Sequence, residues 1–105
     1  MTADRLQITS TVDGETCSLG LGGELDLATV DALKQSFAAA LTDDPRSVVI
    51  DLGDLSFVDS TGLGAFVDFH HQCDEAGVGL RFTEVPDHVQ RLMEITRLTE
   101  LFDIA

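Results

Sequence analysis

Positive charge is what this chain has least of. Six Lys and Arg stand against nineteen Asp and Glu, a formal charge of −13 over 105 residues. That balance excludes a surface built for nucleic acid or for an anionic membrane, since both demand clustered bases. The acidic excess serves either solvation or steering toward a basic protein. No apolar run nears the roughly 20 residues that a membrane-spanning helix needs. The opening stretch, Met1-Thr2-Ala3-Asp4-Arg5, has no basic region followed by apolar residues, so no secretion signal is expected. Cysteine is scarce too. Cys17 and Cys73 lie far apart in unlike contexts, which fits two buried thiols in a reducing compartment better than a disulfide. A cytoplasmic protein is expected.

Catalytic signatures are missing as well. The chain contains no Gly-x-Ser-x-Gly elbow and no Gly-x-x-x-x-Gly-Lys phosphate loop. Asp59 and Ser60 set a carboxylate beside a hydroxyl, but a serine nucleophile also needs a positioned base, and this stretch holds no histidine. Neither enzymatic activity nor a cofactor is expected. His70 and His71 share a predicted helix and point about 100° apart, which suits them poorly to chelating one ion together. His70 falls on the apolar stripe and is expected to be half-buried; His71 and His88 read as surface residues. With no cysteine at ligand spacing, no metal is expected.

What the chain does have is ordered punctuation. Leu6, Ile8 and Ser10 alternate with polar neighbours, Asp13-Gly14 makes a turn, and Cys17, Leu19 and Leu21 alternate again. Residues 6–21 therefore read as an antiparallel hairpin. Gly20, Gly22 and Gly23 invite a bulge or sharp bend at its end. Val30, Leu33, Phe37 and Leu41 mark a helix over 28–41, supported by the alanines at 38–40 and ended by Asp43-Asp44-Pro45. A strand is predicted at 47–51, a helix at 61–76 stopped by Gly77, a strand at 78–83, and a helix at 87–97 opened by Pro86. Leu101, Phe102 and Ile104 form a last apolar patch, as short helix or edge strand. Strands followed by strand–helix alternation imply one domain over 1–105: a mixed, four- to five-stranded α/β sheet whose helices pack mainly on one face. Phe69 belongs either to a widened core face or to an exposed contact patch.

The most informative stretch runs from Asp51 to Gly64. A β-branched run, Val48-Val49-Ile50, leads into Asp59-Ser60-Thr61-Gly62, and an apolar helix follows. The junction sets hydroxyls at the helix N-terminus, where the first N–H groups lack partners, and Ser60 or Thr61 would serve as the cap. Two glycines in that first turn, Gly62 and Gly64, are more than a cap requires, because each costs roughly 0.5–1 kcal/mol relative to Ala. Read from sequence, they leave an open backbone surface around the hydroxyl, suited to close approach by another protein.

Two segments carry a family resemblance: Gly23-Glu24-Leu25-Asp26 ahead of one helix, and Asp54-Leu55-Ser56-Phe57-Val58-Asp59-Ser60-Thr61-Gly62-Leu63-Gly64 opening the next. Together they resemble the bacterial anti-sigma-factor antagonists of the STAS-domain family, and the order of elements matches over essentially the whole chain. The resemblance implies a STAS fold and a phosphoacceptor at Ser60, with Thr61 the nearby alternative. It implies an anti-sigma factor with serine kinase activity as partner, bound by the unphosphorylated form so that the sigma factor is released. A serine phosphatase would restore that form. The implied contact residues are Asp26, Asp59, Ser60, Thr61, Gly62, Leu63 and Gly64. The same fold also serves as a non-switching scaffold subunit of transport or stress-sensing complexes, which is the alternative reading.

Overall fold

Alternating apolar residues build the first two strands as expected. In the computed structural model, which describes residues 5–105, β1 (Leu6–Asp13) pairs antiparallel with β2 (Thr16–Leu25) around Gly14, whose φ is +63°. Met1 to Asp4, part of the stretch read as lacking a secretion signal, lie outside the described residues. The chain continues through α1 (Val30–Thr42), β3 (Ser47–Val58), α2 (Ser60–Ala76), β4 (Gly79–Thr83), α3 (Asp87–Ile95) and β5 (Asp103–Ile104). The sheet order is β1-β2-β3-β4-β5, with every pairing after the hairpin parallel. This is the mixed α/β sheet anticipated from the sequence.

One sheet face carries the core. Leu19, Leu21, Val48, Ile50 and Phe82 are buried, as are Leu33 and Phe37 of α1, Phe66 and Phe69 of α2, and Val89 and Met93 of α3. Strand alternation sends Thr9, Ser18, Gly20, Asp51 and Arg81 to the opposite face, where each is at least partly exposed. Phe69 is core: it is 1% exposed and its ring stacks on Phe37 at 3.9 Å, joining α2 to α1. His70 is half-buried, and His71 and His88 are exposed. Both cysteines are free and buried, and burial pushes the Cys73 thiol up to about 11, away from the reactive thiolate.

Three elements differ from the sequence expectation: the hairpin was expected to end at residue 21, but β2 runs on to Leu25. β3 was predicted to stop at residue 51 but runs to Val58. Its register against β2 shifts twice, opposite Gly20/Gly22 and Gly23/Glu24, and each shift places one extra residue on β3. Buried positions therefore run Val48, Ile50, Leu52 at a spacing of two, then Leu55 and Val58 at a spacing of three. Bulges break the period that marks a strand. The last helix was expected to reach 97 but ends at Ile95, because Arg97 takes φ +64° and starts a short 3-10 turn, Leu98–Glu100. The apolar tail then adds β5 at the sheet edge. None of the described helices is long and apolar enough to cross a membrane.

Candidate functional site

Parallel pairing brings two loops together. Leu25 lies opposite Val58, so Asp26 and Asp59 leave the sheet from neighbouring strand ends. Each leads into a helix, and the carboxyl edge of a parallel sheet is where such loops build a site. The Asp59 N–H donates to the Leu25 carbonyl at 3.2 Å, which ties the loops directly.

The helix cap is Asp59, where Ser60 or Thr61 was expected. Asp59 is extended (φ −108°, ψ −174°), its Oδ1 accepts from the Gly62 N–H at 3.1 Å, and its carbonyl accepts from the Leu63 N–H at 3.1 Å. A carboxylate satisfies an orphan N–H and also meets the positive end of the helix dipole. Ser60 is thereby released from capping. It is the first residue of α2, it is exposed, and among the described residues its hydroxyl has no hydrogen-bond partner. Thr61 is half-buried.

The two glycines do different things. Sequence reasoning set both on an open surface, but only Gly64 is there, with nothing within 4 Å of where a Cβ would stand. Gly62 is buried, and a Cβ on it would come within 2.6 Å of Val58 Cγ2 and 2.8 Å of Leu25 Cγ. Gly62 lets α2 start directly on the ends of β2 and β3. Leu63 also turns inward, at 6% exposure. Gly62 and Leu63 thus shape the turn from beneath, while Ser60 and Gly64 face solvent.

Asp26 organises the other loop. Its Oδ1 accepts from the Ala28 N–H at 3.0 Å and the Thr29 N–H at 3.2 Å, while Thr29 Oγ1 donates to the Glu24 carbonyl at 2.9 Å. Arg5 then grips the carboxylate with two nitrogens, Nη1 to Oδ2 at 2.7 Å and Nη2 to Oδ1 at 3.1 Å. The guanidinium holds the Asp26 carboxyl below its ordinary range, against some desolvation and helped by the Ala28 N–H and the Thr29 hydroxyl. The bound guanidinium offsets the Asp26 charge at this end of the sheet.

Sequence reasoning passed over two exposed apolar residues at this end, Leu27 at 76% and Phe57 at 47% exposure. Leu27 follows Asp26 in a turn, where Gly, Asn, Asp or Ser is usual, and that mismatch was the available signal. Phe57 precedes Val58 in the second bulged stretch of β3, where a period of two could not say which face it takes. The described residues contain no group of three or more His, Cys, Asp and Glu side chains placed to hold a metal. The assembled end therefore offers a free serine hydroxyl on a helix N-terminus, an open backbone at Gly64, and two apolar side chains. Such a surface can dock a protein and can accept a phosphoryl group.

The STAS domain model matches residues 7–105. The anti-sigma-B factor antagonist of Staphylococcus aureus is 33% identical over 99 residues, spanning 94% of this chain and 92% of that protein. Among solved structures, an anti-sigma factor antagonist from Mycobacterium paratuberculosis superposes with a TM-score of 0.88 at 23% identity, covering 99% of this chain and 89% of that one. The Bacillus cell fate determinant SpoIIAA in its phosphorylated form gives a TM-score of 0.72 at 20% identity, over 95% and 90%. The last two likenesses concern the fold.

Proposed function

The chain belongs to the STAS domain family, and from that we propose that it is an anti-sigma factor antagonist switched by phosphorylation of Ser60. In this reading the unphosphorylated form binds an anti-sigma factor with serine kinase activity, and the sigma factor is released. That kinase transfers a phosphoryl group to Ser60, and a serine phosphatase removes it. The protein acts by binding rather than catalysis, in the cytoplasm, as a single domain.

One observation carries the proposal: Asp59 takes the cap, leaving the Ser60 hydroxyl exposed and unbonded at the start of α2. Phosphorylation there adds about −1.5 to −2 charge. The helix N-terminus tolerates an anion, so the fold need not change. A partner seated over Gly64 and against Leu27 and Phe57 would instead face an unpaired, desolvated charge. Incubation with the purified anti-sigma kinase and ATP is expected to add one phosphate, located at Ser60 by fragmentation mass spectrometry and absent from Ser60→Ala. Phosphate at Thr61 or elsewhere would contradict the assignment.

A further inference from the structure

Resting on the Ser60 switch, we infer that Arg5 is a positioning residue for the acceptor turn, acting through residues 23–26. Arg5 is tethered to that segment twice. Its backbone carbonyl accepts from the Glu24 N–H at 2.7 Å, and its guanidinium reaches both Glu24 Oε1 at 2.6 Å and the Asp26 carboxylate. Gly23 makes the close approach possible: its φ is +94°, and a Cβ there would collide with the Arg5 carbonyl.

The clamped segment bears directly on the acceptor. The Leu25 carbonyl holds the Asp59 N–H, and the Leu25 side chain lies against the Gly62 backbone. Arg5 therefore fixes the Asp26 turn, the turn fixes Leu25, and Leu25 supports the cap that leaves Ser60 free. No Lys or Arg besides Arg5 pairs with Glu24 or Asp26 among the described residues. Without Arg5, the Glu24 and Asp26 carboxylates lose the charge that holds them on one guanidinium. Exposed ion pairs ordinarily contribute little, but this one is bidentate and the Asp26 side chain is only 18% exposed, the conditions under which such a pair holds geometry.

Amide hydrogen exchange by NMR on the full, uncomplexed chain tests this without relying on the switch. Arg5→Ala is expected to speed exchange at Ala28, Thr29 and Asp59 by roughly three- to tenfold, with Ile50 in the central strand unchanged. Arg5→Lys restores part of the protection, because an ammonium lacks the planar fork that grips both carboxylate oxygens. The Asp26 carboxyl should titrate higher in Arg5→Ala, toward its ordinary 3.8. With the purified anti-sigma kinase and ATP, the same variant should show a raised KM and unchanged kcat. Unchanged exchange at Asp59, or a rise matched at Ile50, overturns the inference, since Arg5 would then be idle or merely stabilising. The local exchange pattern without phosphate uptake by the wild-type chain supports Arg5 and sinks the Ser60 reading instead.

Discussion

At the scale of single residues, the first turn of α2 separates structure from surface. Gly62→Ala gains helix propensity of about 0.5–1 kcal/mol, but its methyl meets Val58 and Leu25 below 3.0 Å. Overpacking of that kind costs about 1–3 kcal/mol, so net destabilisation is expected. Gly64→Ala meets nothing and should stabilise the chain by about 0.5–1 kcal/mol. Urea denaturation of both variants checks the pair, and the same sign for both would mean the packing at Gly62 is misassigned. Asp59→Ala removes the cap and should cost about 0.5–2 kcal/mol by the same measurement. The junction was legible in the sequence because Asp, Ser and Thr gather where a helix begins. Which of them caps was not, since all three are competent acceptors and backbone conformation decides among them.

At the scale of elements, the strand–helix order was readable from periodicity, and the tertiary partners were not. Helical spacing gave α1 and α2, yet the placement of Phe69 depended on Phe37 from another helix stacking on it. Phe69→Ala should cost about 3–5 kcal/mol, seen as a lower urea midpoint with an unchanged slope. The second half of β3 escaped notice because Gly53 and Asp54 disfavour strands and the bulges replace a period of two by three. The Asp26 turn rests on a depressed carboxyl. Its bonds are present above the ordinary carboxylate range and are lost as pH falls through the depressed pKa, so the turn should persist at mildly acid pH. Carboxyl titration by NMR checks this, with Asp26 expected to protonate below the ordinary 3.8.

At the scale of the whole molecule, charge and topology bear on the proposed docking. A net charge of −13 repels itself within the fold, so moderate salt should raise the melting temperature while slowing association with a basic partner. If the acidic excess steers a basic partner, the whole field acts on arrival, while the proposed landing place is local. Parallel pairing of β2 with β3 gathers Asp26, Leu27, Phe57, Asp59 and Ser60 at one end of the sheet, and the central claim is that one charge at Ser60 decides whether that end can be covered. Titrating the purified anti-sigma kinase, without nucleotide, against Ser60→Ala and Ser60→Asp tests this most directly. Ser60→Ala keeps a small, uncharged surface and should bind as the wild type does. Ser60→Asp buries an unpaired carboxylate at a cost of about 2–5 kcal/mol, and should bind at least about 30-fold more weakly. Equal affinity for the two variants, whether both strong or both weak, would contradict the switch.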